Sequence, residues 1–139
     1  MKVMVLGKAT VQSEAGELGS AEEFAAMNEF NEKLVEAGVV LAADGLQPTS
    51  KGKRVAFDAD GNTTVIDGPF AETKELVAGF SIWEVASMDE AVEWVRRSPL
   101  RDTEVELRKV LDAEDFDESF AAEIAAAEQR RRAEPTAKS

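Results

Sequence analysis

Residues 1–111 are expected to form one α+β domain around an antiparallel sheet, and three observations predict it. Four strand-like apolar runs recur at residues 2–8, 39–46, 77–86 and 104–111. Two of the gaps between them hold helical patterns, each opened by a capping box, Ser20 with Glu23 and Ser87 with Glu90. The remaining gap holds two short alternating runs joined by Asp58-Ala59-Asp60-Gly61-Asn62, a tight-reversal composition.

The first run carries apolar residues on both faces, Val3 and Val5 on one and Met4 and Leu6 on the other, so both faces need cover. After Ser20, the residues Phe24, Met27, Phe30, Leu34 and Ala37 repeat at helical spacing until Gly38 supplies a left-handed stop. A second strand follows at 39–46, then a loop at 48–52 and a hairpin of strands 53–57 and 63–66. Residues 77–86, rich in β-branched and aromatic side chains, suit a central strand. Met88, Ala91, Val92 and Val95 form a second amphipathic helix that Pro99 ends. Strand, helix, strand, hairpin, strand, helix, strand is the order of a split βαβ, ferredoxin-like domain. Both helices would cover one sheet face. The other would keep Met4, Leu6, Phe80 and Ile82 exposed, and a patch of that kind usually marks an interface. A homodimer joined sheet to sheet is therefore expected. Residues 112–139 change character: acids crowd the start, Phe116, Phe120, Ile124 and Ala127 make a narrow stripe, and Arg130, Arg131 and Arg132 stand near the end. An appended helix over 117–132, complementary to its own dipole, is expected there, with a frayed tail from Ala133.

Composition removes whole classes of chemistry. The chain contains no cysteine, no histidine and no tyrosine, which excludes thiol nucleophiles, disulfides, imidazole or thiolate metal sites and phenolic acids. Carboxylates, lysine, arginine, hydroxyls and backbone amides remain. A formal net charge of -12 repels nucleic-acid phosphates, so nucleic acid is not expected as a partner. The opening run has no basic region or long apolar stretch behind it, so a cytoplasmic protein without a membrane segment is expected. The acidic reversal at 58–62 fails the spacing of a calcium loop, and no metal or other cofactor is expected.

A resemblance becomes specific at Asp67-Gly68-Pro69-Phe70-Ala71-Glu72-Thr73-Lys74-Glu75-Leu76, followed by Gly79-Phe80 and Glu84-Val85. This run is similar to the signature of the DGPF branch of the YCII-related family. The likeness extends to Asp44-Gly45-Leu46-Gln47-Pro48 and to the helix after Ser87. It implies a dimeric α/β barrel built from two ferredoxin-like sheets, over residues 1–111 but not over the tail. Relatives place a histidine and aspartate pair in the cavity. This chain has no histidine, so only the turn residues carry over as candidate site positions.

Gly68 and Pro69 form a turn pair that holds Phe70 at a defined angle beside Asp67, a carboxylate next to an aromatic wall. Asp67 is the first catalytic candidate. Asp44, inside the apolar run 39–46, is the second, because burial would bring a carboxylic acid toward a useful acid/base range. If the two faced one cavity they could form a two-carboxylate proton-transfer site. Gly68, Pro69, Phe70, Glu72 and Lys74 are the candidate substrate-binding positions. The leading expectation is a cofactor-free small-molecule enzyme or pocket protein. Its rival is a non-catalytic dimeric binding or regulatory module that meets another protein.

Overall fold

The computed structural model describes residues 1–133, with the side chain of Lys74 and the tail from Glu134 outside the described residues. The tail expected to fray from Ala133 therefore lies almost wholly beyond them. The chain divides into two units, Met1–Lys109 and Val110–Ser139.

The first unit begins with strand β1 (Lys2–Lys8), a one-turn helix α1 (Val11–Glu14), helix α2 (Ala21–Glu36) and strand β2 (Val40–Gly45). A hairpin of β3 (Lys53–Phe57) and β4 (Thr63–Asp67) follows, then β5 (Val77–Glu84), helix α3 (Met88–Arg96) and β6 (Val105–Lys109). Four strands make one sheet in the order β2-β5-β1-β6, every neighbouring pair antiparallel, while β3 and β4 form a separate two-stranded sheet. The fold is α+β with an antiparallel sheet, as the periodicities predict.

Local chemistry sets the helix ends. The Ser20 hydroxyl accepts from the Glu23 amide and the Ser87 hydroxyl from the Glu90 amide, both at 3.1 Å. Gly38, at φ 72°, lets the chain reverse so that its own amide and that of Val39 reach back to the carbonyls of Val35 and Leu34. Replacing Ser87 by alanine removes a partner from the first turn of α3 and is expected to cost about 1 kcal/mol, read as a lowered thermal midpoint. Helix α1 has no counterpart in the sequence reading: Thr10 and Ser13 form a reciprocal capping box around it, and it is too short to show periodicity.

Register decides which residues make the core. Val3 lies opposite Trp83, and Val3, Val5, Trp83 and Val85 cluster with Phe30 and Leu34 from α2 and Ala91 from α3. Both main helices thus cover the same sheet face. The other face carries two rows across the strands: Asp44, Phe80, Leu6 and Glu106, then Ala42, Ile82, Met4 and Arg108. The four apolar residues expected to lack cover share this face.

The second unit contains a short 3-10 helix, Ala113–Asp115, in an Asp112–Asp115 capping box, and helix α4 (Glu118–Ala133). Glu118 stands in the first turn of α4 and three arginines in the last, as the macrodipole favours. No residue of α4 is buried.

Candidate functional site

The Asp67–Phe70 turn is built around Thr49. Pro48 opens a 3-10 turn, Thr49–Lys51, which presents the Thr49 carbonyl to the α-carbon of Gly68. A β-carbon at position 68 would stand 1.6 Å from that oxygen, so only glycine fits. The Gly68 amide donates to the Gly52 carbonyl at 3.0 Å, and the Gly68–Pro69 peptide is cis. The Phe70 amide donates to Thr49 Oγ1 at 3.1 Å. Thr49 is held in turn by α1: its amide donates to Glu14 Oε1 at 3.1 Å and its hydroxyl to Glu14 Oε2 at 2.5 Å. The Arg54 guanidinium carbon lies 3.9 Å from the centre of the Phe70 ring, a cation–π contact that ties the hairpin to the turn.

The two aspartates are placed differently from their sequence reading. Asp67 ends β4 and pairs with Lys53 directly across the hairpin, with 74% of its side chain exposed. Asp44 stands in β2, opposite Phe80, and is exposed because β2 is an edge strand rather than an enclosed one. They belong to different sheets, and neither lines the cleft next to the turn.

A different carboxyl pair does. Directly after the turn, Glu72 is held in the left-handed region at φ 64°, an uncommon conformation for a residue with a β-carbon. The next three residues form the 3-10 helix Thr73–Glu75, closed by the Glu75 amide donating to the Glu72 carbonyl at 2.8 Å. Hydrogen bonding of the protonated Glu72 carboxyl to the Glu75 carboxylate, reinforced by the repulsion between the two charges, raises the pKa of Glu72, and the nearby Arg54 charge opposes the rise. Buried Leu76, whose carbonyl accepts from the Ala9 amide at 2.8 Å, fixes this segment to the end of β1.

Glu72, Thr73 and Glu75 form one wall of an open cleft of about 910 Å³. Thr10 and Lys8 line it from the end of β1, and residues 102–104 close the far side, with Asp102 at φ 53°. Lys8 pairs with Glu106 at 3.0 Å, which holds the Glu106 carboxyl below its ordinary range. The cleft is therefore rich in carboxylates and hydroxyls. Among the described residues, no three carboxylates converge as metal ligands would, and no helix is long and apolar enough to cross a membrane.

Of the candidate binding positions, Gly68, Pro69 and Phe70 make the turn and Glu72 faces the cleft. Lys74 belongs to the same 3-10 helix. Glu14, Thr49, Arg54 and Glu75 escape a sequence reading as functional positions, apart from Glu75 as a charge beside the motif. The one available signal for α1, and so for Glu14, is the pair of hydroxyl residues Thr10 and Ser13 at capping-box spacing, three residues apart.

An α+β domain with an antiparallel sheet and a rigid turn beside an acidic cleft is the class these features define. The chain belongs to the YCII-related family, whose model matches residues 1–114. It is 45% identical over 64 residues to an uncharacterized protein of Rhizobium meliloti (strain 1021), a match covering 46% of this chain and 51% of that one. The chain thus spans about half the length of this curated relative. Among solved structures it resembles 5-chloro-2-hydroxyhydroquinone dehydrochlorinase (TftG) from Burkholderia phenoliruptrix AC1100, in complex with 2,5-dihydroxybenzoquinone. That likeness has a TM-score of 0.47 at 16% identity and covers 84% of this chain and 100% of the other.

Proposed function

We propose that this protein is a cytoplasmic, cofactor-free homodimer of the DGPF branch that binds a small polar molecule in the cleft and moves a proton on it with carboxyl groups. The observation that carries the reading is the Glu72–Glu75 pair: two glutamates on one wall of a cleft, joined by the Glu75 amide to Glu72 carbonyl bond, with Glu72 in a constrained backbone conformation and its pKa raised by its neighbour. A carboxyl that holds its proton more tightly than usual is a candidate to give and take a proton on a bound molecule. The Asp67–Phe70 turn serves as the mount for this pair, with Thr49 and Glu14 fixing its angle. The strand order β2-β5-β1-β6, with both main helices on one face, supports a ferredoxin-like domain, and the open face supports pairing of two such sheets into a barrel.

The pair makes a pH prediction with a definite sign. The Glu72 carboxyl binds its proton more tightly in the folded chain than in the unfolded one. Its contribution to stability is therefore present below its ordinary value of 4.5 and fades as pH rises through its raised folded value. In a carboxyl-resolved NMR titration, one glutamate should titrate above the ordinary range, and Glu75→Gln should move it, because the repulsion from the partner charge is gone. If every glutamate titrates at or below the ordinary value, the acid/base reading fails. Glu72→Gln should also abolish stabilisation by any small molecule that raises the wild-type thermal midpoint.

The exposure of Asp67 and Asp44 favours a second reading, a non-catalytic dimeric binding or regulatory module. In that case the Glu72→Gln and Glu75→Gln variants would bind the protein partner as well as the wild type does.

A further inference from the structure

We propose that the Asp60–Gly61 step at the tip of the β3–β4 hairpin is a self-modification site, where the aspartate isomerises to isoaspartate and unlatches the reversal. The inference is independent of the carboxyl pair and of the homodimer.

The chain contains three Asp-Gly steps, Asp44–Gly45, Asp60–Gly61 and Asp67–Gly68. In each, the glycine nitrogen can attack the aspartate side chain, because no β-carbon crowds it. A bond forms between that nitrogen and Cγ. One carboxyl oxygen leaves as water, carrying the carboxyl proton and the amide proton, and a five-membered imide results. Water then adds to the ring's main-chain carbonyl, breaks the original peptide bond and leaves the chain running through the β-carbon. The water lost in the first step returns in the second, so no oxidant, metal or partner is consumed. Ring closure demands that the aspartate Cα–C bond turn until the β-carbon and the next nitrogen are eclipsed, and an extended strand holds them well apart. The fold therefore decides which step reacts.

Two of the three are held. Asp44 and Gly45 lie in register with Phe80 and Gly79, and the next amide, that of Leu46, donates to the Ala78 carbonyl at 2.8 Å. Turning the bond between Asp44 and Gly45 would open this ladder. Asp67 ends β4 with its carboxylate on Lys53, the Gly68 amide donates to the Gly52 carbonyl at 3.0 Å, and the Thr49 carbonyl crowds the Gly68 α-carbon.

Asp60 and Gly61 lie outside both strands, and both are exposed. Among the described residues the Asp60 carboxyl has no partner; its amide alone is engaged, donating to Asp58 Oδ1. Gly61 stands at φ 84° with nothing within 4 Å of the space a β-carbon would fill, so it can absorb a compensating rotation. The bond that must open is the Gly61 amide to the Asp58 carbonyl, 3.1 Å long and internal to the reversal.

The product would undo what holds the tip. Asp58 Oδ1 accepts from the amides of Asp60 and Asn62, both at 2.9 Å. Isomerisation adds one main-chain atom between these amides, so a single carboxyl oxygen no longer reaches both. No residue of β3 or β4 is buried, and a two-stranded hairpin has little packing with which to resist such opening.

The test is incubation of the full chain at neutral pH and physiological temperature, with isoaspartate located by peptide mapping and fragmentation that distinguishes it from aspartate. In the folded chain isoaspartate should accumulate at position 60 at least about tenfold faster than at 44 or 67, since one hydrogen bond lost on the way to the ring slows a step by about that factor. In guanidinium the three steps should react at similar rates. Asp60→Glu should remove the dominant product, because the longer side chain can close only a six-membered ring. In the modified fraction, hydrogen exchange at the Asn62 amide should quicken. Equal rates at the three steps of the folded chain, or a faster one at Asp44 or Asp67, overturn the assignment. A preference for Asp60 that persists in guanidinium overturns selection by the fold, and unchanged exchange in the modified fraction overturns the unlatching.

Discussion

Gly68→Ala should destabilise the protein by about 3 kcal/mol or more, and thermal unfolding should show a midpoint lower by roughly 10 °C. A methyl group cannot enter a space in which the Thr49 carbonyl oxygen would stand 1.6 Å away, and the obstacle is backbone rather than a side chain able to rotate aside. Either the Thr49–Lys51 turn retreats or the Asp67–Phe70 turn does. Retreat strains the contacts centred on Thr49: the Phe70 amide to Oγ1, and Oγ1 to Glu14. Glu72 follows directly, so the carboxyl pair on the cleft wall should move with it. The same variant should therefore shift the Glu72 titration toward the ordinary value and weaken the hold of Arg54 on Phe70. An alanine variant with the wild-type midpoint and an undisturbed Phe70 amide resonance would show that the close approach has no energetic consequence.

The second large effect belongs to the core. Leu34 is 1% exposed and sits between α2 and the sheet, in the cluster with Val3 and Trp83. Leu34→Ala removes buried methyl groups and leaves a void that neighbouring strands cannot close, at a cost of about 2–5 kcal/mol. Only ten buried hydrophobic residues are found among the described positions, so the core has little redundancy to absorb the loss. Chemical denaturation should show a lowered midpoint with an unchanged slope. A loss below about 1 kcal/mol would mean that α2 repacks freely.

Elements whose signals are local can be read from the sequence. Ser20 and Gly38 bracket α2 with a cap and a left-handed stop only a few bonds away, and Ser87 does the same for the start of α3. The hairpin declares itself through Gly61 and Asn62 in its reversal. Alternation along β1 places Val3 and Val5 on one face and Met4 and Leu6 on the other, and register with β5 puts the same division into three dimensions. The site is less legible because its contacts are distant in sequence. Glu14 and Thr49 are 35 residues apart and Thr49 and Phe70 are 21 apart, and no periodicity links them. Asp44 looks enclosed because its neighbours are apolar, whereas strand order makes β2 an edge. Glu72 is visible as a charge beside the turn, but its positive φ belongs to a turn whose far end, Leu76, is bonded to Ala9, 67 residues away in the chain.

The bond between the Gly52 carbonyl and the Gly68 amide, 3.0 Å long, has a wider consequence. It fastens the two ends of the hairpin together at its neck, so everything between them forms a closed excursion from the four-stranded sheet. Loop-closure entropy grows only slowly with length, and insertions are best tolerated where chain ends already meet. Residues 55–65, beyond the Arg54 contact with Phe70, are thus a segment that mutation can lengthen, trim or exchange while the scaffold that carries the cleft stays as it is.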